Sequence, residues 1–337
     1  MPEHKKTNPA AVFRLGHLGD VVLTTGVLDH WRRSRDMRFT FITREASAPA
    51  LENHPAVDEI VTVDEDALKS FGAWFRHCGE LAERIGSMPL FDLHGTLRSR
   101  ILSLRWRGKV RRYPKFGLER RMFSRTRAER YRKRLERTNV PQRYAMTLDT
   151  PPPPADRLLP VIAMRDGELD AARARLEPLR RNGALVALHP YATHPSKQWP
   201  EDHWRRLIEL LDRANIDWFV VGRAQAPFIA RQQDLTNETS LRETCALLAE
   251  ADVMVTNDSG PMHLASGVGT PVVGLFGPTA RAWGFFPAGA EDIVLERKMD
   301  CRPCSLHGGA GCASGLECLA SISPEAAMGA IRTILKV

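Results

Sequence analysis

A chain of 337 residues with 43% hydrophobic and 26% charged side chains is long enough for two domains with real cores, which excludes a disordered or low-complexity protein. No apolar stretch approaches the roughly 20 residues that a membrane-spanning helix needs, and the opening residues MPEHKKTNPA lack the apolar segment of a signal peptide, so a cytoplasmic protein is expected. The formal charge of +8 is concentrated over residues 98–137, which hold 17 Lys and Arg against 3 Asp and Glu. The arginines there are interleaved with Trp106, Tyr113, Phe116, Phe123 and Tyr131. That pattern suits a phosphorylated ligand, an anionic membrane face or nucleic acid, with a solvated helical face as the plain alternative.

Short apolar runs alternate with helical segments from the start. The first strand is expected over residues 11–15, after which the turn Gly16-His17-Leu18-Gly19-Asp20 opens a helix to about residue 33. Further strands are expected at 39–43, 59–63 and 89–93. Four consecutive prolines at 151–154 suit neither a helix interior nor a central strand, so a stiff connection and a domain boundary are placed near them. The pattern then restarts, with strands at 184–189, 218–221, 253–256, 272–276 and 293–295 and helices at 200–214 and 241–249. Ser323, Pro324 and Glu325 supply the cap, first-turn proline and early acid of a last helix. Such alternation is the signature of parallel sheets covered on both faces. The expected fold class is therefore α/β, with two Rossmann-like domains facing across a central cleft. The first spans residues 1–160, with the final helix at about 324–337 packing back on it, and the second spans 161–323.

Sheets of this kind bind ligands where their strands end, and three loops rich in chemistry fall at such ends. In the first, Gly16 and Gly19 admit a close approach, and Asp20 enters a helix whose dipole favours a carboxylate able to accept a hydroxyl proton. A plain helix cap is the competing role, and G-x-x-G lacks the spacing of a dinucleotide fingerprint. The second loop, residues 189–200, brings the hydroxyl of Thr193 and the ammonium of Lys197, a compact charge able to offset a departing diphosphate. In the third, NDSGPMHLASGVGTP, Asp258, Ser259 and Gly260 stand where a strand gives way to a helix. Backbone N–H groups can hold a phosphate there. Ser259 adds a hydroxyl and His263 follows one turn on, with capping and packing as the ordinary roles of these residues. Asp64, Glu65 and Asp66 form a D-x-D inside an acidic stretch and are expected to be a solvated turn.

Of six cysteines, Cys78 and Cys245 are isolated, while Cys301, Cys304, Cys312 and Cys318 follow the pattern C-x2-C-x7-C-x5-C. In a cytosolic chain this clustering favours a metal over disulfides, tetrahedral zinc first and iron second, with reduced, unligated thiols as the alternative.

The stretches RLGHLGDVVLTTGVL, HPYATHPSKQWPEDHW and VTNDSGPMHLASGVGTPVVGLFGPT, in this order and separation, resemble the heptosyltransferases of glycosyltransferase family 9 across nearly the whole chain. The resemblance implies the GT-B fold and an inverting enzyme, which moves L-glycero-D-manno-heptose from ADP-heptose to the inner core of lipopolysaccharide. It also implies a place at the inner face of the inner membrane. It assigns Asp20 as catalytic base, Lys197 and Thr193 as contacts to the donor phosphates, and Asp258 as the carboxylate on the donor heptose. Ser259 and Gly260 are implied as the backbone that holds the diphosphate, with His263 nearby. Gly19 and, in FDLHGTLRSR, Arg98 are implied as acceptor contacts. No cofactor is required for the transfer. The basic segment is expected to meet the phosphorylated acceptor and the anionic lipid around it, and no nucleic-acid partner is expected. Where some members carry a second hydroxyl beside the threonine, this chain has Ala192. Two other readings stand beside this one: a GT-B relative that adds heptose to an autotransporter protein or uses another nucleotide sugar, and a non-catalytic nucleic-acid-binding module. The second would leave the three loops without a task.

Overall fold

The computed structural model describes residues 8–306, 308–309, 312 and 315–337. The chain divides into two compact units, Met1–Lys115 with Val140–Ala163, and Phe116–Asn139 with Met164–Val337. The first unit contains β1 (Asn8–Phe13), α1 (Leu18–Arg35), β2 (Met37–Arg44), β3 (Val57–Val63), α2 (Glu65–Leu68), α3 (Phe71–Ile85), β4 (Leu90–Asp92), α4 (Leu97–Arg105) and β5 (Val110–Arg112). Its five strands are all parallel, in the order β3-β2-β1-β4-β5. Ala11 and Phe13 face Trp74, Cys78, Leu81 and Ile85, spaced along one side of α3 at helical intervals, together with Ile101 and Leu102 of α4. On the opposite face Trp31 of α1 meets Phe91 edge-on at 5.4 Å. Burial on both faces is why these strands are apolar runs rather than alternating ones. β5 was not expected, since Val110-Arg111-Arg112 has one apolar residue in three and lies at the sheet edge.

The chain then forms a hairpin of α5 (Gly117–Thr126) and α6 (Glu129–Glu136) before returning as α7 (Val140–Ala145), which packs on α1. The hairpin belongs to the second unit, although it lies inside the stretch assigned above to the first domain. Its Phe123 and Leu135 are buried against Ala282 and Trp283, with the Phe123 ring edge-on to Trp283 at 5.4 Å. Arg120 and Arg127 donate to the carbonyls of Trp283 and Asp300. The basic stretch is therefore divided, its first part on α4 and β5 and its second on α5 and α6.

The second unit continues with α8 (Asp166–Leu176), β6 (Leu185–His189), α9 (Glu201–Arg213), β7 (Asp217–Val220), α10 (Leu241–Ala249), β8 (Val253–Asn257), α11 (Gly260–Val268), β9 (Val272–Phe276), β10 (Ile293–Glu296), α12 (Glu317–Ala320) and α13 (Pro324–Leu335). Its strands are parallel in the order β10-β9-β8-β6-β7. Trp204, Leu207, Ile208 and Leu211 of α9 form the i, i+3, i+4, i+7 stripe that faces this sheet. Each such burial is worth roughly 1.5–3 kcal/mol. α13 does not follow the expected return to the first domain: its Ala327, Met328 and Ile331 join the core beneath α9 and β8–β10, where the stripe of α13 matches that of α9.

Two contacts tie the surrounding chain to α1. Val161 N–H donates to the Thr25 hydroxyl at 2.8 Å, and a Cβ on Gly26 would stand 2.0 Å from the Leu159 carbonyl oxygen. The connection after the prolines thus rests backbone-on-backbone against the helix. Gly26→Ala should lower stability by about 1–3 kcal/mol, and an unchanged urea midpoint would show that this connection does not rest on α1. His54, buried, meets the Thr25 carbonyl through Nε2 at 3.1 Å and accepts from the Ala56 N–H through Nδ1 at 3.2 Å, a pairing that needs the neutral ring. Burial pushes its pKa down to about 4 from 6.5. Because the folded value lies below the unfolded one, this contribution is complete above pH 6.5 and is lost as pH falls toward 4. Between those limits wild type should lose stability faster than His54→Gln by up to about 1.4 kcal/mol per pH unit. A stability difference that stays constant from pH 7 to 4 would show that His54 is not held neutral.

Candidate functional site

In each sheet the strand order reverses direction once, between β1 and β4 in the first unit and between β6 and β8 in the second. Doubly wound sheets bind ligands beyond the carboxyl ends of the strands at such points. All three loops singled out from the sequence begin there: the loop after β1, the loop after β6 and the turn from β8 into α11.

In the first unit Arg14 follows the last residue of β1. Its guanidinium donates to the Leu93 carbonyl beyond β4 at 2.7 Å and pairs with Asp20 Oδ2 at 2.6 Å. Asp20 lies in the first turn of α1, where the helix dipole favours negative charge. Gly16 leaves room for the pair, because a Cβ there would come within 2.8 Å of Arg14 Nε and 2.9 Å of Asp20 Oδ2. Tyr144 of α7 stands beneath Arg14, 5.5 Å from guanidinium carbon to ring centroid, with its hydroxyl 3.5 Å from Asp20 Oδ1. Burial alone would lower the Arg14 pKa, but Tyr144, Asp20 and Tyr113 more than offset it and hold the cation above its ordinary value. Burial, with the Arg14 charge second, pushes His94 down to about 3, so a neutral imidazole stands beside this pair, edge-on to Phe13. Gly19 is buried in the first turn of α1. Arg98, half-buried at the start of α4, donates to the Leu68 carbonyl at 3.0 Å. The D-x-D is a helix start: Asp64 accepts from the Asp66 N–H and caps α2, and Asp66 pairs with Lys69.

In the second unit the loop after β6 is pinned by Asn257, whose Oδ1 accepts from Trp199 N–H at 3.0 Å. This sets Lys197, in the short helical turn Pro195–Lys197, with its Nζ 2.8 Å from Asp258 Oδ2. The Thr279 hydroxyl donates to the same oxygen at 2.8 Å, and Arg302 holds the Thr279 carbonyl at 2.9 Å. Both partners of the Lys197–Asp258 pair are largely buried, at 15% and 10% side-chain exposure, so this is not an ordinary surface ion pair. Ser259 occupies the cap position of α11, yet its side chain makes no capping bond. Its hydroxyl instead lies 3.3 Å from both His189 Nδ1 and the Thr256 hydroxyl, and burial pushes His189 down to about 4, hence neutral. Gly260 and Pro261 open the helix, and His263 is buried one turn on. With the capping hydroxyl turned aside, the start of α11 presents backbone N–H groups and a partial positive charge, which suits an anion. Thr193 is exposed in the same loop as Lys197.

The expected metal site is not supported. Among the described residues no group of three or more His, Cys, Asp or Glu side chains is placed to hold an ion. All four thiols are free of disulfides; Cys304 Sγ donates to the Cys301 carbonyl, and Cys312 Sγ accepts from the Leu316 N–H. Burial pushes up Cys304, with Cys301, Cys318 and Cys312 adding to it, and burial also pushes up Cys318. The segment does reach the site, since Ser196 donates to the Gly308 carbonyl and Arg302 to Thr279.

Arg14, His94, Tyr144, His189, Thr279 and Arg302 were not singled out from the sequence. Arg14 alone left a signal there, as a charge inside an otherwise apolar run.

The model of glycosyltransferase family 9 (heptosyltransferase) matches residues 89–307. Lipopolysaccharide heptosyltransferase 1 of Pseudomonas aeruginosa is 30% identical over 320 residues, covering 85% of this chain and 83% of the relative. Among solved structures, a family 9 glycosyl transferase from Veillonella parvula superposes with a TM-score of 0.74 at 20% identity, covering 98% of each chain. An E. coli heptosyltransferase with ADP-2-deoxy-2-fluoro heptose gives 0.62 at 18% identity, over 96% of this chain and 99% of that one. The fold is GT-B, and the chain is a glycosyl-transferring enzyme that belongs to glycosyltransferase family 9, the heptosyltransferases.

Proposed function

We propose that this enzyme transfers L-glycero-D-manno-heptose from ADP-heptose to the inner core of lipopolysaccharide, with inversion at the anomeric carbon. The names of its relatives support the choice of sugar and acceptor, one a lipopolysaccharide heptosyltransferase and one solved with an ADP-heptose analogue. The observation that carries the proposal is the largely buried Lys197–Asp258 pair at the switch point of the second sheet, whose Asp258 leads into the uncapped start of α11. A cation and the amide end of a helix are what a departing diphosphate needs. On this reading the unit carrying α11 binds the donor: Lys197, Thr193, Ser259 and Gly260 at the diphosphate, Asp258 at the heptose, and His263 beside them. The unit carrying α1 binds the acceptor, with Gly19 and Arg98 contributing.

The acceptor hydroxyl, hydrogen-bonded to Asp20, attacks the anomeric carbon. Its proton passes to the carboxylate as the bond to the diphosphate breaks, and ADP leaves from the opposite face with the electron pair. Arg14 and Tyr144 aim Asp20, and Lys197 with the start of α11 neutralises the charge that develops on the leaving group.

The direct test is incubation with ADP-heptose and a deacylated lipopolysaccharide core lacking heptose. Mass spectrometry should find one added heptosyl residue; heptose appearing only on a protein acceptor would move the acceptor class. Asp20→Asn should cut turnover by about 10²–10⁴ while ADP binding stays within about twofold of wild type; turnover near wild type would remove Asp20 as the base. Lys197→Ala should lower kcat about 10²-fold or more. A loss confined to KM would leave Lys197 a binding role only.

A further inference from the structure

Among the described residues six large apolar side chains are exposed, and four of them share one face of the first unit: Phe71 and Phe75 of α3, and Leu97 and Leu104 of α4, at 67%, 40%, 71% and 81% exposure. Phe71 and Phe75 are one helical turn apart, with rings stacked at 6.2 Å. Leu97 and Leu104 are two turns apart on one side of α4. One turn of α3 meets both ends of α4: Trp74 Nε1 donates to the Arg98 carbonyl at 3.0 Å, and the Arg105 guanidinium lies over the Phe75 ring at 4.9 Å. The four apolar residues therefore belong to one surface rather than to scattered positions. Its charge has a single sign on the α4 side, where residues 93–118 hold eight Lys and Arg and no Asp or Glu. Arg100 and Arg105 of α4 are exposed between and beside the leucines. Glu80 and Glu83 lie in the later turns of α3, beyond the two phenylalanines.

We infer that this face of α3 and α4 docks on an anionic lipid bilayer, with the phenylalanines and leucines entering the headgroup boundary and the arginines meeting lipid phosphates. Stable attachment at a membrane surface takes two signals, apolar insertion and a basic patch, and the face supplies both. Among the described residues no helix is long and apolar enough to cross a membrane. The inference rests on the proposed function only in that a lipid-anchored acceptor gives the docking a purpose.

The test uses the full chain in sedimentation with vesicles of phosphatidylethanolamine and phosphatidylglycerol, and with phosphatidylcholine vesicles as the uncharged control. Wild type should partition onto the anionic vesicles, less so at high salt, and little onto the uncharged ones. Leu97→Ser with Leu104→Ser should weaken that partition about tenfold or more, with thermal midpoint and transfer to the soluble, deacylated acceptor unchanged. Arg100→Glu with Arg105→Glu should weaken it too and flatten its salt dependence. Equal binding by wild type and the leucine variant would overturn the docking face. So would a concentration-dependent dimer of wild type that the leucine variant abolishes, since the face would then join two copies of the chain. Transfer to the soluble acceptor is read separately, so a missing activity counts against the proposed function and a missing vesicle interaction against the docking face.

Discussion

In a sheet whose strands all run one way, every strand ends on the same rim, and the chain must cross over a face before starting the next. Both units obey this constraint, and nearly everything chemical about the protein follows from it. The rim of the first sheet brings Arg14, leaving β1, within reach of the Leu93 carbonyl beyond β4. The rim of the second brings Lys197, from the loop after β6, onto Asp258 at the end of β8. The central strands are apolar runs of one kind; the loops between them are not.

Both half-sites are built the same way. Each has a carboxylate paired with a basic side chain and steadied by a hydroxyl: Asp20 with Arg14 and Tyr144, Asp258 with Lys197 and Thr279. Removing one member of a largely buried pair strands the other, so such pairs hold their geometry more firmly than surface ones. A ligand arriving at either finds charge already oriented, and little reorganisation remains for the moment of reaction. The cysteine-rich segment takes part here through Arg302 on the Thr279 carbonyl and Gly308 under Ser196. What the chain gains from that segment, among the described residues, is a brace for the Lys197 loop.

Much of the fold was legible because parallel strands buried on both faces must be apolar runs, and the runs at β6, β8 and β9 stand out between polar loops. β5 was not, being an edge strand of one valine and two arginines that needs no apolar pattern. The placement of α5 and α6 was also hidden. It depends on Phe123 and Leu135 meeting Trp283, a contact between residues some 150 apart that no local pattern announces. At the candidate site, Asp20, Lys197 and Asp258 stood out from the sequence as charges in loops at strand ends, whereas Arg14, Thr279 and Tyr144, which pair with them, did not, and the last two look like any other threonine or tyrosine until the chain is folded. The cysteines teach the converse: their spacing was conspicuous, but spacing alone does not gather three or more ligands around one point, and among the described residues no such group is found.

Because the α5–α6 hairpin leaves the sequence of one unit to join the other, the chain passes between units at three places: after Lys115, after Asn139 and after Ala163. The two halves of this enzyme are therefore not two consecutive stretches of gene. A recombination that swaps the back half of one family member for another at residue 163 would seat the hairpin of one parent against the Trp283 loop of the other. Phe123 and Leu135 would then face a socket shaped for different side chains. The second unit can be exchanged cleanly between relatives only if residues 116–139 travel with the distant segment they serve, which makes the hairpin part of the inheritance of that unit despite its address in the first.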